Sequence, residues 1–83
     1  MQYYFHSDPG HAWLAVKRKE LIRLGIIDKI SSYSYQKGKT VYLEEDCDAG
    51  VFIEAKKTRG EEITFKETYR EHTPIRNYPM FVQ

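Results

Sequence analysis

Glu44, Glu45, Asp46 and Asp48 place four carboxylates within five residues, with Cys47 among them. Charges of one sign so close together repel, so the cluster invites an opposite charge. A cation or the Lys/Arg side chains of a protein partner would supply it. The plainer alternative is a solvated helix start, since acids are favoured near a helix N-terminus. That same N-terminal position favours the thiolate of Cys47, but the neighbouring carboxylates oppose it, so a thiol nucleophile is not expected. These four acids form the expected partner-binding surface.

Two other sets of residues could carry chemistry. His6, Asp8 and His11 flank a tight turn and are ligand types that zinc or another transition metal accepts. The alternative is that Asp8 opens the turn and the histidines merely flank it. Tyr33, Tyr35, Lys37 and Lys39, with Arg76 from the C-terminal segment, interleave aromatic rings with bases. That is the composition of a stacking platform for single-stranded nucleic acid, with the bases supplying phosphate contacts. Against it, tyrosines at a period of two commonly cover a half-buried sheet face.

The elements that would position these groups follow from turn signals and periodicity. Gln2–His6 is strand-like, and Asp8-Pro9-Gly10 turns the chain into a second strand over 11–16. Lys17–Leu24 is expected to be helical, closed by Gly25 with Ile26 folding back on Leu21. Ser31–Tyr35 alternates and is expected to be a strand that puts both tyrosines on one face. A turn at residues 36–39 leads into Thr40–Glu44, where Val41 and Leu43 share a face. Asp46 is the expected N-cap of a second helix running from Cys47 to Thr58 or Arg59, ended by Gly60. Glu61–Arg70 reads as a final strand, and residues 72–83 as an irregular tail packing through Ile75, Tyr78 and Phe81. The expected fold is a single α+β domain over 1–83, roughly ββαββαβ, with an antiparallel sheet packed by two short helices.

Composition limits the choice of function. Eighty-three residues, 41% of them hydrophobic, support one small core. No apolar run approaches the ~18 residues of a membrane span, and no signal peptide is visible. A single cysteine cannot form an internal disulfide, which favours a reducing, cytoplasmic setting. The net charge of +1 argues against a general polyanion binder. Charge is nevertheless uneven along the chain: residues 1–43 carry seven bases and three acids, and residues 44–83 carry six and nine. No nucleotide-binding or hydrolase motif is present, so neither a cofactor nor an enzymatic role is expected.

The segments 9–14 (PGHAWL), 30–35 (ISSYSY), 42–48 (YLEEDCD) and 75–78 (IRNY) together resemble a family of small uncharacterised proteins carried by bacteria, phages and plasmids. Ala12 stands where the pattern would have glycine. The resemblance implies a bacterial or phage context and assigns no activity or site residues. The function expected is a small non-enzymatic protein-binding module, acting as an inhibitor of a host or defence complex. The alternatives are a nucleic-acid-binding module on the Tyr/Lys hairpin and a small metal-binding protein using His6, Asp8 and His11. A homodimer through an exposed sheet edge is compatible with this composition.

Overall fold

The computed structural model describes residues 2–83. Strands β1 (Gln2–Ser7), β2 (Ala12–Lys17), β3 (Tyr35–Lys37), β4 (Thr40–Glu44) and β5 (Thr64–Tyr69) form one sheet in the order β3-β4-β2-β1-β5. Helices α1 (Arg18–Arg23) and α2 (Asp48–Thr58) complete an α+β domain, with short 3-10 turns at Ile27–Lys29 and Pro74–Asn77. The sheet is mixed, not wholly antiparallel as the sequence suggested. β5 joins β1 in parallel, pairing Tyr4 with Lys66 and His6 with Thr68. The chain reaches β5 from α2, and that crossover delivers it in the same direction as β1.

Alternation along the strands divides the side chains between two faces. Tyr3, Leu14, Val16, Val41 and Leu43 point to the helical side. There they pack with Leu21 and Leu24 around α1 and with Ala49 and Phe52 of α2. Tyr4, His6, Trp13, Ala15, Lys17, Tyr42 and Glu44 therefore occupy the outer face. This parity explains why β2 is apolar from Ala12 to Val16: it is central, and Trp13 is covered on the outer side as Leu14 is on the inner.

Both helices stop the same way. Gly25 and Gly60 each adopt φ of 70°. The amides of Gly25 and Ile26 bond the carbonyls of Ile22 and Leu21, and those of Gly60 and Glu61 bond Lys57 and Lys56. These are paired C-terminal closures that a residue with a Cβ would strain. The second closure also places Glu61 beside Lys56, which is 1% exposed in the core. The Lys56 Nζ lies 2.8 Å from Glu61 and 3.7 Å from Glu20, and Arg23 bonds both acids. A cation near the C-terminal end of α2 is thus an interior group with two counter-charges.

The C-terminal segment is fastened to the sheet. The Gln36 amide bonds the Pro79 carbonyl, the Phe81 amide bonds the Ser34 carbonyl, and Met80 bridges to Tyr35. Phe81 enters the core, and the 3-10 turn Pro74–Asn77 crosses the outer face. No helix of the described residues is long and apolar enough to cross a membrane.

Candidate functional site

A cleft of about 310 Å³ opens on the outer face where β2, β4 and the C-terminal turn meet. Its floor is Trp13, 2% exposed. Tyr35 meets the indole edge-on at 6.1 Å, and His11 lies 6.0 Å from it. Tyr33 stands at the rim, 72% exposed. Glu44, Asp46 and Cys47 complete the acidic side, and Arg76 closes the other. Residues from the segments 9–14, 30–35, 42–48 and 75–78 all contribute to this one cleft.

Arg76 is held by two contacts. Its guanidinium bonds both oxygens of Asp8 and lies 5.4 Å above the Trp13 ring. The Arg76 contact, helped by the backbone amides of His11 and Gly10 and opposed by burial, keeps the Asp8 carboxyl well below its ordinary range. Gly10 leaves room for this arrangement, because a Cβ there would come within 3.1 Å of Arg76 Nη2. Asp8 Oδ1 also accepts the amides of Gly10 and His11 at 2.9 Å, so one carboxylate both shapes the hairpin turn and anchors the C-terminal segment.

The acidic cluster separates into two inward and two outward groups. Asp48 is 3% exposed, and its Oδ2 accepts from the Ser31 amide, the Ser31 hydroxyl and the Ser34 hydroxyl. Ser34 in turn accepts the Glu44 amide at 3.0 Å. Glu44 is also buried, with both oxygens on the Asp46 amide. Glu44, not Asp46, therefore organises the chain before α2, and the N-cap position itself is Cys47. Only Glu45 and Asp46 are exposed, and neither forms an ion pair among the described residues. Burial, then Glu44, Asp48 and Asp46, push the exposed Cys47 thiol upward, which keeps it protonated.

The other predicted sets are dispersed. Among the described residues no group of three or more His, Cys, Asp and Glu side chains is placed to hold a metal. His6 faces Thr68, with Nδ1 2.9 Å from its hydroxyl; Asp8 is taken by Arg76; His11 flanks Trp13. Of the nucleic-acid set, Tyr33, Tyr35 and Arg76 line the cleft, Lys37 lies over Tyr78, and Lys39 is exposed in the β3–β4 turn. Ser31–Ser34 is a turn instead of a strand, because Asp48 draws both serine hydroxyls inward, and β3 begins only at Tyr35. Trp13 is the site residue that sequence reading missed. The available signal was its parity, opposite to Leu14 and Val16.

Comparison with protein-family models, with curated proteins and with solved structures finds no match.

Proposed function

We propose that this chain is a small protein-binding module whose Trp13 cleft receives a cationic side chain, Lys or Arg, from a protein partner. The observation that carries this reading is the meeting of three aromatic rings with the Glu44 and Asp46 carboxylates in one open cleft. Aromatic faces attract cations through their quadrupole, and the exposed Asp46 carboxylate, with the buried Glu44 charge behind it, supplies the complementary charge. Trp13 is itself covered by the Arg76 guanidinium, so the exposed Tyr33 ring and the half-buried Tyr35 ring offer the faces for the incoming group. Asp8 balances Arg76, and neither Glu44 nor Asp46 forms an ion pair among the described residues. A module of this kind acts by occupying its partner's surface, the mode of an inhibitor of a host or defence complex.

The test is affinity capture from nuclease-treated bacterial lysate, read by mass spectrometry, with the native chain beside Tyr33→Ala and Asp46→Lys. Both substitutions lie at exposed positions that do not support the core. A stoichiometric protein partner is expected with the native chain. Loss of a central aromatic contact is expected to cost about 2 kcal/mol of binding. Capture undiminished in both variants would remove the cleft from the interface.

A further inference from the structure

Outside the cleft, the outer sheet face carries a second surface of opposite charge. Four rings follow one another across it: Tyr78 lies 5.3 Å from Tyr42, Tyr42 6.1 Å from His6, and His6 6.5 Å from Tyr4. Strand register sets cations around this row. Lys66 is the β5 partner of Tyr4, Lys17 pairs with Thr40, and the Lys37 ammonium sits 4.8 Å above the Tyr78 ring. Arg70 adds a fourth exposed base beside His6. Glu44 is the only carboxylate at an outward position of the five strands, and it is buried in the Trp13 cleft.

We propose that this ring row and its flanking bases bind single-stranded nucleic acid, with bases stacked on Tyr4 and its neighbours and phosphates paired with Lys17, Lys37, Lys66 and Arg70. Every nucleobase offers a π-face, so a row made of the exposed Tyr4 and the partly exposed His6, Tyr42 and Tyr78 holds a strand without reading its sequence, and the basic side chains follow its backbone. Tyr4 suits this role, being 42% exposed with no core to support. At the far end of the row, a cleft of about 160 Å³ between His6, Tyr42 and Tyr78 is lined by Thr73, whose buried hydroxyl has no hydrogen-bond partner among the described residues. Buried hydroxyls are rarely left unsatisfied, and a polar edge of the strand is a suitable partner. This surface is distinct from the Trp13 cleft and does not depend on the protein-binding reading.

Fluorescence anisotropy with a labelled single strand of about 12 nucleotides tests it. Binding is expected at low salt, tighter than to a duplex of the same length. The log–log salt dependence should have a slope of about −3, as four phosphate contacts give for a single strand. Tyr4→Ala should weaken binding about tenfold. Lys17→Glu with Lys66→Glu should abolish it, whereas Lys29→Glu with Lys57→Glu, the same change in net charge on the helical side, should leave it intact. Tyr33→Ala should also leave it intact. No binding at low salt, duplex bound as tightly as single strand, or equal losses in the two double variants would each overturn the proposal.

Discussion

The Trp13 cleft and the Tyr4–Tyr78 ring row lie on one sheet face and are built from similar residues, yet they use charge in opposite ways. At the cleft, the charged groups are mostly committed to the fold. Asp48 holds two serines, Glu44 holds the turn into α2, and Asp8 holds Arg76. Along the ring row, Lys17, Lys66 and Arg70 form no ion pair among the described residues and face solvent. The denser charge cluster in the sequence is thus the more structural one. A charge run becomes a surface only where backbone amides and hydroxyls have not already claimed it.

The sharpest way to break the comparison is to truncate one ring in each region. Trp13→Ala empties a buried site and removes the support under Arg76. It should destabilise the fold by about 3–5 kcal/mol. Tyr4→Ala removes a ring that is open to solvent and should change stability by no more than about 0.5 kcal/mol. Urea unfolding followed by circular dichroism measures both. Similar losses at the two positions would mean that the ring row is a second core and not an available surface.

Within the acidic cluster the contrast should recur on a smaller scale. Asp48→Ala strands three donors that now converge on one carboxylate oxygen, and a cost of about 3 kcal/mol is expected. For a domain of this size that lowers Tm by roughly 12–24 °C. Asp46→Ala removes an exposed carboxylate and should stay within about 0.5 kcal/mol. If the two variants melt together, Asp48 is not the organising group that its hydrogen bonds indicate.

These inward-facing roles mark where the sequence stops being legible. Local chemistry was readable at most places where it closes over a few residues, the exception being the start of α2, where Glu44 and not Asp46 organises the turn. Asp8-Pro9-Gly10 produced the β1–β2 hairpin, and Gly25 followed by Ile26 produced the closure of α1. Long-range partnerships were not. The alternation of Ser31–Tyr35 imitates a strand because nothing local reveals that Ser31 and Ser34 are claimed by an aspartate more than a dozen residues away. The parallel seat of β5 depends on how the chain returns from α2, which side-chain parity does not encode. The candidate cleft suffered the same limit: its residues were visible as three separate sets, and only the fold joins His11, Tyr33, Tyr35, Glu44, Asp46 and Arg76 around Trp13.

The link between Asp8 and Arg76 offers a test by pH. The folded Asp8 carboxyl titrates below its ordinary value of 3.8, chiefly through the Arg76 hydrogen bond. A carboxyl lowered by folding adds stability that is fully present above its unfolded value and is lost as pH falls through the folded one. The stability gap between the native chain and Arg76→Ala should therefore be largest near neutrality and shrink below pH 3.8. Glu61, drawn down to about 2 by Arg23 and then by Lys56, titrates in the same window but is common to both proteins. Its contribution cancels in the difference. A gap unchanged between pH 7 and about pH 2.5 would mean that Arg76 stabilises only through its stacking on Trp13.

The smallest effect concerns Cys47, where two local influences oppose each other. The start of α2 favours a thiolate, while partial burial and the carboxylates of Glu44, Asp48 and Asp46 disfavour it. The raised thiol implies that, although exposed, Cys47 should react with iodoacetamide at neutral pH more slowly than a cysteine in an unfolded peptide. Asp46→Asn removes one opposing charge and should speed the reaction by about threefold, the effect of a unit charge a few ångströms away in water. Alkylation faster than the peptide's would show that the helix start dominates. The thiol at the edge of the Trp13 cleft would then be a reactive group, and the comparison between the acidic cleft and the basic ring row would have to include covalent chemistry at the former.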